Sequence, residues 1–98
     1  MVKHIILWQL KDEFNNDDIK QGIKTGLEGL RGKIPGLIEI KVQIKKLESS
    51  NTDVMLYSVF ESEEALKNYS VDPSHVAVAN EKVRPYTKTR SCIDFCED

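Results

Sequence analysis

Hydrophobic residues alternate with other residues over four stretches of the chain, and a period of two predicts β-strands. In the second stretch, one alternating set is apolar and the other is polar or charged. In the first and third stretches both sets are largely apolar, which is typical of a strand covered on both faces. The four predicted strands are residues 2–10, 37–47, 54–60 and 87–95.

A long stretch between the first two strands has the periodicity of a helix. We expect this helix to begin after the N-cap Asn15 and to end at Pro35 and Gly36. Asp17 and Asp18 would complement the helix dipole in the first turn. One apolar stripe at helical spacing runs through Ile19, Ile23, Leu27, Leu30 and Ile34.

A second helical stretch lies between the third and fourth strands and has two parts. Ser62 is a good N-cap for the first part, which we expect to run to about Tyr69. Asp72 followed by Pro73 is a helix-start signal, so a second part should begin there. Pro85 should end it before the last strand.

The resulting order is β-α-β-β-α-β, which predicts an α+β protein. Right-handed crossovers put both helices on one face of a four-stranded antiparallel sheet, the ferredoxin-like arrangement. The first and third strands form the central pair, and their second apolar face is left without cover. Soluble monomers rarely expose such a patch, so we expect a homodimer formed through the sheet face. The alternative is that residues such as Met55 and Tyr57 are a tolerated surface.

Composition narrows the classes of function. A chain of 98 residues suits one domain, residues 1–98. The net charge of −2 gives no electrostatic basis for binding nucleic acid or an anionic membrane, and we expect neither partner. Apolar runs are too short for a transmembrane helix, and no signal peptide is expected. Cys92 and Cys96 on one strand would be beyond disulfide reach, so we expect free thiols and a cytoplasmic location.

Five short segments, taken together and in their order along the chain, indicate a resemblance to a known family. They are VKHIILW at 2–8, IPG at 34–36, FESEEAL at 60–66, YSVDPSH at 69–75 and IDF at 93–95. Together they resemble the stress-responsive A/B barrel family, or Dabb domains, over nearly the whole chain. The resemblance implies a dimeric α+β barrel in which two four-stranded sheets close on each other.

The resemblance also implies candidate site residues. Among the relatives are plant polyketide cyclases, which close a linear polyketide by an aldol step, and cofactor-free monooxygenases. The catalytic tyrosine and histidine of the cyclases correspond to Tyr69 and His75, and their first-strand histidine corresponds to His4. The His-Pro-x-His motif of the family has Asp72 in place of its first histidine.

The chemistry of Tyr69 and His75 suits an aldol closure, because a histidine can remove an acidic proton near neutral pH. A phenol can hydrogen-bond the developing enolate. On an unbroken helix the two residues would point about 120° apart, but a break at Asp72 allows another geometry. The alternative is that His75 binds a backbone group and Tyr69 packs in the core. His4 would similarly be satisfied by a neighbour within its strand.

Metal and cofactor sites are not expected from the sequence. His4 and His75 are the only histidines, so zinc would need Cys92, Cys96 or carboxylates distant in sequence. Three hypotheses for function follow. The first is a homodimer that binds a small apolar or aromatic ligand. The second is a cofactor-independent enzyme, cyclase-like or monooxygenase-like, that uses His75, Tyr69 and His4. The third is a structural stress protein without a pocket.

Overall fold

Four strands and three helices alternate in the order that the sequence predicts. The structure is a computed structural model, and it describes residues 1–97. Short 3₁₀ turns at Asp12–Phe14 and Arg84–Tyr86 and a π-helical turn at Ala79–Val83 complete the regular structure. The elements are β1 Val2–Leu10, α1 Asp17–Glu28, β2 Leu37–Gln43, β3 Val54–Phe60, α2 Glu63–Val71, α3 Pro73–Val78 and β4 Thr87–Cys96.

The strands form one antiparallel sheet in the order β2-β3-β1-β4, with β3 and β1 in the centre. This confirms the ferredoxin-like arrangement. One alternating set of β1 is buried beneath the helices, while Ile5 is only half-buried and Leu7 is 36% exposed on the opposite face. The helices therefore cover one face and leave the other open. The buried set of β1 consists of Val2, His4, Ile6, Trp8 and Leu10.

Helix α1 is shorter than its apolar stripe predicts. It ends at Glu28, and Gly29 and Gly32 fall in the turn that follows, where Gly32 has a φ of +80°. The side chains of Leu30 and Ile34 are still buried, because the turn folds them back onto the same core. Helical spacing thus identified the core positions correctly but placed the end of the helix too late.

The start of α1 also differs by one residue from the prediction. Asn16 is the N-cap, not Asn15, and its side-chain oxygen accepts a hydrogen bond from the Ile19 amide at 2.9 Å. Both asparagines are suitable caps, and the 3₁₀ turn before the helix decides between them.

Strand β2 departs from the regular alternation at its beginning. The register with β3 shifts between Leu37 and Glu39, so Ile38 is left unpaired and 40% exposed. A bulge of this kind turns the extra residue away from its expected face. Ile40 and Val42 beyond the bulge are buried as predicted. The strand ends at Gln43, before the predicted boundary at residue 47.

Strand β4 lies at the edge of the sheet and is uncovered on both faces. Only Thr87 is half-buried, and the rest of the strand is exposed. Its pairing with β1 runs from Thr87, opposite Leu10, to Cys96, opposite Val2. Within residues 1–97, no helix has the length and apolarity needed to cross a membrane.

Two glycines give opposite predictions on substitution by alanine. Gly36 has a φ of +81°, and an added Cβ would lie 2.5 Å from the Ala65 Cβ on α2. Gly36→Ala should therefore lower the free energy of unfolding by about 1–3 kcal/mol. The matched control is Gly22→Ala inside α1, where the added Cβ would meet nothing within 4 Å among residues 1–97 apart from its chain neighbours and the backbone of its own helix. This substitution should raise the free energy of unfolding by about 0.5–1 kcal/mol. Urea denaturation measures both, and destabilisation by Gly22→Ala equal to that by Gly36→Ala would contradict the assignment.

Candidate functional site

The break between α2 and α3 brings the two predicted site residues together. Asp72 is extended, with φ −63° and ψ 129°, and its carboxylate accepts a hydrogen bond from the Ser74 amide at 2.8 Å. The chain therefore changes direction between Tyr69 and His75, as the Asp-Pro signal predicts. Their ring centroids lie 4.1 Å apart with an interplanar angle of 33°.

Tyr69 lies at the centre of an aromatic cluster and is 1% exposed. Its ring centroid lies 4.9 Å from that of Phe60 and 6.1 Å from that of His4. Among the described residues, no atom makes a hydrogen bond to its buried hydroxyl. Burial raises the pKa of the phenol well above its usual range, so the hydroxyl keeps its proton at neutral pH.

His75 has an unusual polar environment for a half-buried imidazole. Nδ1 is buried and, within residues 1–97, has no hydrogen-bond partner. Burial lowers the pKa of His75, and the positive charge of Arg84 lowers it further. A polar interaction with the Ser70 backbone raises the pKa, but its effect is smaller than that of burial. The imidazole is therefore neutral at pH 7, with a buried nitrogen free to donate or accept according to its tautomer.

His4 is held from the sheet side of the same region. It is 6% exposed, and its Nδ1 lies 2.5 Å from Asp94 Oδ1 on the neighbouring strand. Cys92 lies on the same face of β4, with its Sγ 3.8 Å from His4 Nδ1 and 3.5 Å from Asp94 Oδ1. Asp94 and Cys92 were not predicted as neighbours of His4. Their alternate spacing on β4 was visible, but the register with β1 was not.

Tyr69, His75 and His4 line one cavity of about 140 Å³ between the helices and the sheet. His4 also lines a second, more open groove of about 480 Å³ along β4. The space beside His75 is therefore not filled by side chains. Arg84 and Arg90 contribute charged groups to the cavity. Its apolar lining comes from Ile6, Trp8, Leu27, Leu56, Leu66, Ala79 and Val83.

A family model described as Stress Responsive A/B Barrel Domain matches residues 2–97. The chain belongs to the Dabb family. This confirms the resemblance seen in the sequence. In a comparison with curated proteins, none matches the Dabb chain.

Solved structures share the fold of the Dabb chain over almost its full length. A dimeric protein of unknown function and ferredoxin-like fold from Bacteroides fragilis is 28% identical, with a TM-score of 0.85 over 96% of this chain and 93% of its own. A dimeric ferredoxin-like protein of unknown function from Thermobifida fusca is 23% identical, with a TM-score of 0.86 over 98% and 90%. A hydroxynitrile lyase from Passiflora edulis is 17% identical, with a TM-score of 0.83 over 99% and 93%.

The unpartnered hydroxyl of Tyr69 gives a prediction for stability. Tyr69→Phe removes a buried polar group that lacks a protein partner, so the free energy of unfolding should stay constant or rise by up to about 1 kcal/mol. The matched control is Ser58→Ala, because the buried Ser58 hydroxyl donates to the His4 carbonyl at 3.0 Å. Ser58→Ala should lower the free energy of unfolding by about 1 kcal/mol. Thermal and urea unfolding measure both, and a loss of more than about 1 kcal/mol for Tyr69→Phe would contradict the prediction.

Proposed function

We propose that the Dabb chain forms a homodimer and binds a small apolar or aromatic ligand in the cavity beside Tyr69 and His75. One observation carries the ligand proposal. A partly open, mainly apolar cavity is lined by a buried phenol and a buried imidazole nitrogen that, within residues 1–97, have no hydrogen-bond partner. Buried polar groups are almost always paired, so these two atoms are suited to the polar group of a ligand.

The volume of the cavity supports a ligand of one ring. A dry protein cavity of about 150 Å³ is known to accommodate benzene, and this cavity has about 140 Å³. The hydroxyl of Tyr69 and Nδ1 of His75 would add one or two hydrogen bonds to that apolar contact. A single-ring phenol therefore matches both the size and the polarity of the site. A longer ligand could continue past His4 into the groove along β4.

The open sheet face supports the homodimer. Most of the residues that β1 and β3 place on this face are apolar, and these two strands form the middle of the sheet. The edge strand β2 contributes the polar residues Glu39, Lys41 and Gln43. Ile93 on the edge strand β4, opposite Ile5, is 59% exposed on this face. An apolar centre with a polar rim is typical of an interface. The apolar residues are Ile5, Leu7, Met55, Tyr57, Val59, Ile93 and Phe95.

Similar proteins add weight to the dimer. Both the Bacteroides fragilis and the Thermobifida fusca structures are described as dimeric. On the open face, between the two central strands, Lys3 Nζ donates to the Tyr57 hydroxyl at 2.7 Å. The free thiols of Cys92 and Cys96 support a reducing compartment such as the cytoplasm.

The dimer has a direct test in light scattering coupled to size exclusion. The wild type should show twice the chain mass of 11.2 kDa at micromolar concentration. Leu7→Lys buries a charge at the open face, so it should weaken dimerisation at least about tenfold. Leu47→Lys is the matched control, because Leu47 is 75% exposed in the loop after β2. A monomeric wild type, or equal effects of the two substitutions, would overturn the sheet-face dimer.

The ligand proposal is tested with phenol and toluene, which have nearly the same shape and differ in one hydroxyl. Phenol should bind with a Kd on the order of 0.1–1 mM. It should bind about fivefold more tightly than toluene, because one hydrogen bond to a neutral group adds about 1 kcal/mol. NMR titration measures both. His75→Phe keeps the ring beside Tyr69 and should remove most of the preference for phenol.

Two further variants make this test decisive. Ala79→Leu fills the cavity and should abolish binding of both probes, whereas Val71→Ala on the exposed end of α2 should leave both unchanged. The proposal is wrong if neither probe binds the wild type up to its solubility. It is also wrong if Ala79→Leu, still folded by circular dichroism, binds phenol as tightly as the wild type.

A second candidate is a cofactor-independent enzyme that uses the same pair. The specific observation in its favour is that the His75 ring lies 4.1 Å from the Tyr69 ring in the same cavity. Burial lowers the pKa of His75 and raises that of Tyr69, so the pair offers a neutral base and a protonated phenol. The fold is also that of an enzyme, the hydroxynitrile lyase. Conversion of a bound aldol substrate, lost in His75→Phe while the dimer persists, would favour this candidate over simple binding.

A further inference from the structure

Three potential metal ligands from two strands meet beside the central part of the sheet. They are His4 of β1 and Cys92 and Asp94 of β4, and their ligand atoms lie within 4.8 Å of one another. We propose that His4, Cys92 and Asp94 bind one Zn²⁺ ion, with a fourth coordination position open to the groove along β4. The site shares His4 with the wall of the cavity, but Cys92 and Asp94 line only the groove along β4.

The register of the sheet assembles this site. Asp94 is directly opposite His4 in the β1–β4 pairing, and Cys92, two residues earlier, points to the same side of β4. The backbone of His4 is paired on both edges, and its carbonyl also accepts a hydrogen bond from Ser58. The imidazole therefore projects from a rigid part of the sheet.

Two of the three distances between ligand atoms are close to those of a tetrahedral zinc site. With Zn–S bonds of about 2.3 Å and Zn–N or Zn–O bonds of about 2.0–2.2 Å, ligand atoms lie about 3.4–3.6 Å apart. Cys92 Sγ is 3.5 Å from Asp94 Oδ1 and 3.8 Å from His4 Nδ1. His4 Nδ1 and Asp94 Oδ1, at 2.5 Å, must separate by about 0.9 Å to reach that range. The Asp94 side chain is 45% exposed, so rotation of its carboxylate is possible.

The donor atoms favour zinc over magnesium or calcium. A thiolate and an imidazole nitrogen are ligands of zinc, whereas magnesium and calcium prefer oxygen alone. Without a cation, the Cys92 thiol lies next to the Asp94 carboxylate, with Sγ 3.5 Å from Oδ1. A zinc ion would displace the thiol proton and offset the repulsion between thiolate and carboxylate.

The open position points to an anionic fourth ligand. Three protein ligands with one vacant position are typical of catalytic rather than structural zinc. With a thiolate and a carboxylate bound, the ion and its ligands carry no net charge. Arg90 and Lys67 line the same groove, with Glu63 as the opposing acidic group. The two cations favour hydroxide or another small anion in the fourth position.

Cobalt provides a spectroscopic test of the site. The tag-free, reduced protein should bind one Co²⁺ per chain and show a thiolate-to-cobalt charge-transfer band with tetrahedral visible bands. Zn²⁺ should displace the cobalt. Cys92→Ser should abolish the charge-transfer band and weaken Co²⁺ binding at least about tenfold, and Asp94→Ala should weaken binding by a similar factor.

Cys96→Ser is the matched control. Cys96 lies four residues beyond Cys92 on the same face of β4 and lines the same groove, but it is not one of the three proposed zinc ligands. This variant should keep the band and the wild-type affinity. Zn²⁺ should raise the thermal midpoint of the wild type and Cys96→Ser, but not of Cys92→Ser. The proposed zinc site is contradicted if the wild type does not bind one Co²⁺ per chain. It is also contradicted if the charge-transfer band persists in Cys92→Ser or is lost in Cys96→Ser.

Discussion

Strand β1 forms hydrogen bonds along both edges, with β3 on one side and β4 on the other. This double pairing decides which of its residues face the helices. A slip of one residue would send His4, Ile6 and Trp8 to the open face and bring Lys3 and Ile5 beneath the helices. Because one alternating set is buried at 1–6% exposure, such a slip is costly. The cavity, the His4 contacts and the open face all depend on this register.

The helix break at Asp72 is the second constraint on the site. Tyr69 ends up in the core because α2 packs on the sheet, and His75 follows on a short helix in a new direction. The two rings meet at 4.1 Å only because the chain is extended at Asp72. The sequence signals for this break were clear, since Asp caps and Pro at the first helical position have strong local preferences.

Other predictions failed where the backbone path departed from the local pattern. The apolar stripe of α1 continues to Ile34, but the glycines after Glu28 favour a turn, and the turn buries the same side chains. The alternation of β2 includes Ile38, but a bulge against β3 leaves that residue exposed. In both cases burial of most apolar residues was predictable, whereas the backbone path depended on packing against the rest of the molecule.

Local patterns were sufficient for the order of the elements, the central position of β1 and β3, the second apolar face of the sheet and the break before His75. Each follows from periodicity or a capping residue, which are properties of neighbouring positions. The folded chain was needed to show that a cavity lies beside Tyr69 and that Cys92 and Asp94 stand next to His4. These facts depend on which residues of β1 and β4 lie opposite each other, about 90 positions apart in the chain. Such long-range register arises from the packing of the whole sheet, and no local pattern contains it.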